Sequence, residues 1–118
     1  MKPAAYRYSK CRVDRCVDGD TVDLWINLGF STFVKKRVRL MGINTPESRT
    51  RDLEEKKRGK AATAYMESLL ESGYCDLDSH ELGKYGRVLG TLWVDGKDLN
   101  QEMIDAGHAV AYFGGKRG

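Results

Sequence analysis

Arg39-Leu40-Met41-Gly42-Ile43-Asn44-Thr45-Pro46-Glu47 is the stretch on which the reading of this chain turns. The residues leading into it, from about Thr32 to Gly42, carry the apolar and β-branched content of a strand. Pro46 has no backbone N–H to donate and disfavours helical backbone at Thr45, so the strand stops there. An apolar strand therefore ends in a cation, an amide and a carboxylate. Burying the Arg39 guanidinium requires a partner, either a structural ion pair or an anion held in its planar fork. Glu47 follows a stiff Thr45-Pro46 exit. It is either a solvated loop acid or a carboxylate placed reproducibly enough to act on water.

Upstream, residues 6–17 alternate loosely and predict a first strand. Asp18-Gly19-Asp20 reads as a turn, and Thr21-Val22-Asp23-Leu24-Trp25-Ile26 resumes an extended pattern. Asn27-Leu28-Gly29-Phe30-Ser31 is then a hairpin loop. In extended backbone Asp18 and Asp20 point to the same side and Asp23 to the opposite one. Two convergent carboxylates suit a hard cation, although Asp-Gly-Asp is also an ordinary turn sequence.

Downstream, Ser48 to Lys60 carries six basic and three acidic residues without a strong pattern, which predicts a solvated loop running into a helix. Ala62, Met66, Leu69 and Leu70 recur at helical spacing, with Gly73 as the stop. Tyr74–Asp78 and Arg87–Val94 predict two further strands. Asp98 with Gln101 resembles a capping box before a short helix through Leu99, Met103 and Ala106 that ends at Gly107. Three strands, a helix, two strands and a short helix suit an α+β, mainly β architecture: a small antiparallel barrel with two helices attached, one version of which is the five-stranded OB barrel.

Length suits a single domain over residues 1–118. The formal charge of +3 is only a mild bias towards polyanions. No apolar run is long enough to span a bilayer, and the N-terminus has no apolar signal core, so a cytoplasmic, monomeric protein is expected. Cys11, Cys16 and Cys75 lack metal-finger spacing and read as reduced thiols. Neither they nor His80 and His108 form a nucleophile or ligand pattern. Lys84-Tyr85-Gly86-Arg87 is either surface punctuation or a turn that grips a phosphate and stacks a base.

Three segments in order, Val17-Asp18-Gly19-Asp20-Thr21-Val22, Arg39 to Glu47, and Lys84-Tyr85-Gly86-Arg87-Val88-Leu89-Gly90, resemble the staphylococcal (micrococcal) nuclease or thermonuclease family. The likeness runs from about Val17 to Tyr112. It implies an OB-type barrel and Ca²⁺-dependent hydrolysis of DNA and RNA that leaves 3′-phosphate ends, with Mn²⁺ as another divalent candidate. On that likeness Asp20, Asn44, Thr45 (through its carbonyl) and Asp18 surround the metal. Arg39 and Arg87 match the catalytic arginines, and Glu47 matches the carboxylate that positions or activates water. Lys84, Tyr85 and Tyr112 match residues that hold the nucleotide. Asn44 departs from the family pattern: an amide stands where a second aspartate is expected, at the loss of one negative charge. The chain also ends at Gly118, so the C-terminal helix of longer members is not expected. An OB-fold that binds nucleic acid with weakened or lost hydrolysis is the alternative expectation, and Asn44 is its support. A purely structural or protein-interaction domain would leave Arg39, Glu47 and Arg87 together unexplained.

Overall fold

The computed structural model describes residues 6–82 and 87–112, the side chains of Glu81 and Leu82 excepted. Strands β1 (Tyr6–Asp18), β2 (Thr21–Asn27) and β3 (Phe33–Leu40) form an antiparallel meander. Next come the two-residue β4 (Ile43–Asn44) and helix α1 (Leu53–Leu69). Strands β5 (Tyr74–Leu82) and β6 (Val88–Val94), the short β7 (Lys97–Asp98), helix α2 (Leu99–Asp105) and β8 (Val110–Ala111) complete the order. β5 returns to pair with β1, and β6 runs parallel to β3 with Val38 opposite Val88 and Leu40 opposite Gly90. That seam closes β1-β2-β3-β6-β5 into a five-stranded barrel, the expected architecture.

Period-two patterning decides which side chains fill the barrel. On β2, Val22, Leu24 and Ile26 point inward and are buried, and Val38 and Leu40 of β3 join them. Leu77 and Leu92 supply the opposite wall. Helix α1 covers the core through Ala62 and Met66, with Leu70 just past its end, while α2 adds Leu99 and Met103. The capping contact foreseen at Asp98 is present, its carboxylate accepting from the Gln101 amide. Gly107 takes a φ of 80° just past α2, where the left-handed conformation ends the helix.

Three boundaries differ from expectation. β3 ends at Leu40, because Gly42 at φ 84° turns the chain before β4 begins. β5 runs on past Asp78 to Leu82, held by β1 on one side and β6 on the other. Helix α1 starts at Leu53, early in the stretch read as a loop running into a helix and well before the first apolar position of that reading, Ala62. Its N-cap is Asp52, whose side chain accepts from the amides of Glu54 and Glu55, and both glutamates favour the positive end of the helix.

Asn100 is the polar tie of this core. It is buried, its amide nitrogen donating to the carbonyls of Met41 (2.8 Å) and Gly90 (3.1 Å) and its oxygen accepting from Leu92 N (3.3 Å). One side chain thus joins α2, β6 and the turn that follows β3. Asn100→Ala should destabilise the fold by about 2–3 kcal/mol, because it strands buried backbone groups. The check is the midpoint of urea unfolding, which should fall at an unchanged slope.

Candidate active site

Asp20 is the anchor. It lies in the turn between β1 and β2, is only 7% exposed, and makes three polar contacts. Its carboxylate accepts from the Thr21 hydroxyl (3.0 Å) and from the Thr45 amide (3.1 Å), and Arg39 Nη2 approaches to 3.5 Å. A buried carboxylate without partners would be untenable, whereas hydrogen bonds involving a charged group contribute about 1.5–3 kcal/mol each. The Asp20–Thr45 bond brings the β4 exit against the β1–β2 turn across 25 residues of sequence.

Arg39 completes the cluster from β3. Its Nη1 donates to the Leu40 carbonyl (2.8 Å), and its Nη2 donates to Asn44 Oδ1 (3.3 Å) while facing Asp20 Oδ2. The Asp20 and Asn44 oxygens therefore converge on one cationic nitrogen. Asn44 is held by the ladder between β4 and β8, opposite Val110, and Tyr112 donates its backbone N–H to Gly42 O (2.8 Å) at the edge of the same ladder. Arg87 immediately precedes β6, whose Leu89 lies opposite Arg39. Its buried Nε has no hydrogen-bond partner among the described residues, and neither has the buried Thr45 Oγ1.

The two acids of the turn behave differently from the simple extended reading. The Gly19-Asp20 turn interrupts the strand, and Asp18 bonds the Ser48 hydroxyl and faces Arg49, while Asp20 turns to Thr45 and Arg39. Asp23 lies apart from both, as alternation requires, in a bidentate pair with Arg37 (2.8 and 3.2 Å). That hydrogen-bonded guanidinium holds Asp23 below its ordinary value of 3.8, against burial, which pushes the other way. Lys84 and Tyr85 lie outside the described residues.

Glu47 is exposed, yet its main chain is tightly packed. Its amide donates to Glu55 Oε2 of α1 (3.2 Å), and Gly59 of α1 lies directly against the Glu47–Ser48 peptide. Sequence reasoning passed over both residues. Asp52-Leu53-Glu54-Glu55, with its acid-x-x-Glu spacing, was the signal available for the start of this helix. The cysteines take no part: burial pushes Cys16 and Cys75 up to about 12, which keeps both thiols protonated at neutral pH. His80 bonds Thr91 and His108 packs on Tyr65, so both have structural neighbours.

A donor set of one buried carboxylate, one amide oxygen and a threonine suits a hard cation, which takes oxygen ligands. Two of those oxygens already meet a positive charge in Arg39, and Thr45, whose amide bonds Asp20, carries a buried hydroxyl with no hydrogen-bond partner among the described residues. The residues fit such an ion. No group of three or more His, Cys, Asp and Glu side chains gathers among the described residues, so any ion here would depend on the amide and on backbone oxygen as much as on charge.

The sequence matches the staphylococcal nuclease homologue family over residues 37–117. The chain belongs to that family. Among curated proteins it is 34% identical over 104 residues to the SPbeta prophage-derived endonuclease YokF of Bacillus subtilis, covering 85% of this chain and 33% of that protein. It is 32% identical over 104 residues to endonuclease YncB of the same organism, covering 85% of this chain and 47% of the relative. With the thermonuclease of Staphylococcus intermedius it shares 31% over 103 residues, covering 86% of this chain and 58% of that enzyme. The chain thus spans less than two thirds of each of these relatives. No helix among the described residues is long and apolar enough to cross a membrane.

The lowered Asp23 yields a prediction with a definite sign. A carboxylate with a depressed folded value contributes stability above its ordinary value and loses it as pH falls below about 3.8 towards that folded value. Arg37→Gln should therefore cost about 1 kcal/mol at pH 7, a modest figure because Arg37 is half exposed and solvent screens the pair. The deficit should shrink as the pH is lowered through this range, read by thermal unfolding of both proteins from pH 7 to pH 3.

Proposed function

We propose that this chain is a divalent-metal-dependent nuclease that hydrolyses phosphodiester bonds of DNA or RNA and leaves 3′-phosphate ends. The observation that carries the reading is the convergence of Asp20 Oδ2 and Asn44 Oδ1 on Arg39 Nη2, which gathers a carboxylate, an amide and a guanidinium from three elements. The endonuclease and thermonuclease names of the relatives support the same class of chemistry.

In this reading Asp20, Asn44 and the Thr45 carbonyl would hold Ca²⁺, with Asp18 as the further acid of the site, and Mn²⁺ is the other candidate. The ion supplies charge that polarises a phosphate oxygen and draws electron density from phosphorus. The chain's own groups do the rest. Glu47 orients the attacking water and accepts its proton as the new P–O bond forms; the P–O5′ bond breaks, and the leaving 5′ oxygen takes a proton from solvent. Arg39 presents paired N–H donors to the phosphate, and both Arg39 and Arg87 offset the negative charge that grows on the pentacoordinate phosphorus. Lys84, Tyr85 and Tyr112 hold the nucleotide. The whole of residues 1–118 acts as one domain in this proposal.

Asn44 also favours a second reading, an OB barrel that binds nucleic acid but cuts it weakly or not at all. Its neutral oxygen brings one charge fewer than an aspartate would, and it is already engaged by Arg39.

The test is cleavage of labelled single-stranded DNA across a Ca²⁺ titration, with Mn²⁺ and EDTA arms. Glu47→Gln should reduce turnover by about 10²–10⁴-fold while leaving oligonucleotide binding and folding intact; equal activity would remove Glu47 from the mechanism. Asn44→Asp should lower the Ca²⁺ dissociation constant on the order of tenfold by restoring the charge, measured directly by calorimetry. Unchanged affinity would mean that position 44 does not face the ion. Binding without cleavage under every metal would leave the second reading standing.

A further inference from the structure

Glu47 presents a physical problem for the chemistry assigned to it. Its residue is exposed, it lies in the segment between β4 and α1, and none of its neighbours from Thr45 to Ser48 belongs to a strand or helix. An exposed loop acid samples many positions, whereas water activation needs the carboxylate held near one. Two contacts from α1 restrict its main chain. Glu55, in the first turn of the helix, accepts the Glu47 amide N–H through Oε2 at 3.2 Å. One turn further on, Gly59 is buried, and a Cβ built on it would lie 2.4 Å from both Glu47 C and Glu47 O and 2.6 Å from Ser48 N.

The second contact is possible only for glycine. Carbon pairs in ordinary contact sit about 3.5–4 Å apart, so any side chain at position 59 would force the Glu47–Ser48 peptide to move by about 1 Å. The opposing atoms are backbone and cannot swing aside as a side chain would. Gly59 is also costly to keep, since glycine inside a helix destabilises it by roughly 0.5–1 kcal/mol relative to alanine. Helix propensity gives no reason for a glycine here; the close approach of the Glu47–Ser48 peptide does. The same helix supports the metal-side turn: a Cβ on Gly19 would meet Ala62 Cβ at 2.9 Å. Asp18 of that turn reaches the Ser48 hydroxyl, so the acid turn and the Glu47 loop are bound to each other and to α1.

We propose that Glu55 and Gly59 are positioning residues for the general base: α1 holds the Glu47 main chain through a carboxylate latch and a glycine seat, so that helix placement sets where the Glu47 carboxylate lies. The proposal rests on the reading of Glu47 as the residue that handles water, and its test separates the two.

Amide hydrogen exchange measured by NMR on the whole 118-residue chain reads the latch without reference to cleavage. The Glu47 N–H should be protected in the wild type and in Glu55→Gln, whose amide oxygen still accepts, and should exchange about tenfold or more faster in Glu55→Ala. In single-stranded DNA cleavage, Glu55→Ala should lower kcat by about tenfold and Gly59→Ala by about a hundredfold, with KM changed less than about twofold in each. Glu55→Gln should recover most of the rate. Glu55→Gln loses the same first-turn charge as Glu55→Ala but keeps the acceptor, so a lower kcat in the alanine variant alone, with far-ultraviolet circular dichroism unchanged, excludes loss of the helix as the cause. Glu55→Ala disturbs no core contact and keeps the test open should Gly59→Ala fold poorly. Undiminished Glu47 protection in Glu55→Ala would overturn the latch, and an unchanged kcat in both alanine variants would overturn the positioning role. A wild-type protein that cuts nothing would instead overturn the nuclease reading, and the exchange comparison would still decide the latch.

Discussion

A carboxylate buried at the mouth of a small barrel must be surrounded by donors, and Asp20 obtains them from three directions. Thr21 comes from its own strand, the Thr45 amide from the exit of β4, and Arg39 from β3. These donors meet only if the barrel closes with the β1–β2 turn beside the end of β3, and the β3–β6 seam determines that closure. The anchoring therefore works in both directions. The closed sheet brings the donors together, and the uncompensated charge of a misplaced Asp20 would penalise any other closure by several kcal/mol. Pro46 reinforces the arrangement by ending the strand just past the amide that Asp20 requires.

Around this anchor the molecule divides its work between rigid and less regular parts. Arg39 lies on a strand and Asn44 in a short ladder, which fixes both directions and leaves the guanidinium shared between amide and carboxylate. Glu47 lies in an irregular segment, and its placement depends on α1. Asn100 performs a corresponding task from α2, holding the turn that leads from β3 to Asn44. A neutral Asn44 in this setting avoids the repulsion a second carboxylate would have against Asp20, and its oxygen accepts from Arg39.

Much of the site was legible because its residues break local rules. A charged Arg39 in an apolar strand, acids on either side of a glycine, and Pro46 before a glutamate each stand out against the period-two pattern that surrounds them. The start of α1 did not stand out. Its buried face in the first turns is Gly59 rather than an apolar residue, so the helical period begins only at Ala62, and the charged residues before it look like solvated loop. The separate partners of Asp18 and Asp20 were not legible for a related reason: alternation describes extended backbone, and the Gly19-Asp20 turn interrupts it. Lys84 and Tyr85 fall outside the described residues, so their roles stand on the likeness to the family alone.

Strand period, turn residues and ordered motifs are local properties that need no partner, so the mainly β architecture, the two helices and the family were all legible in the bare chain. It also determined which residue types are available for chemistry, including the amide at position 44. Only the folded chain shows which partner each acid meets: Asp20 meets Arg39, Asp23 meets Arg37, and Asp18 meets the Ser48 hydroxyl and Arg49. It alone decided that Glu47 leans on α1 through Glu55 and Gly59. The physical reason is that an ion pair or a close backbone contact depends on separation in space. Loop closure sets that separation over tens of residues, and no window of sequence short enough to read by pattern contains it.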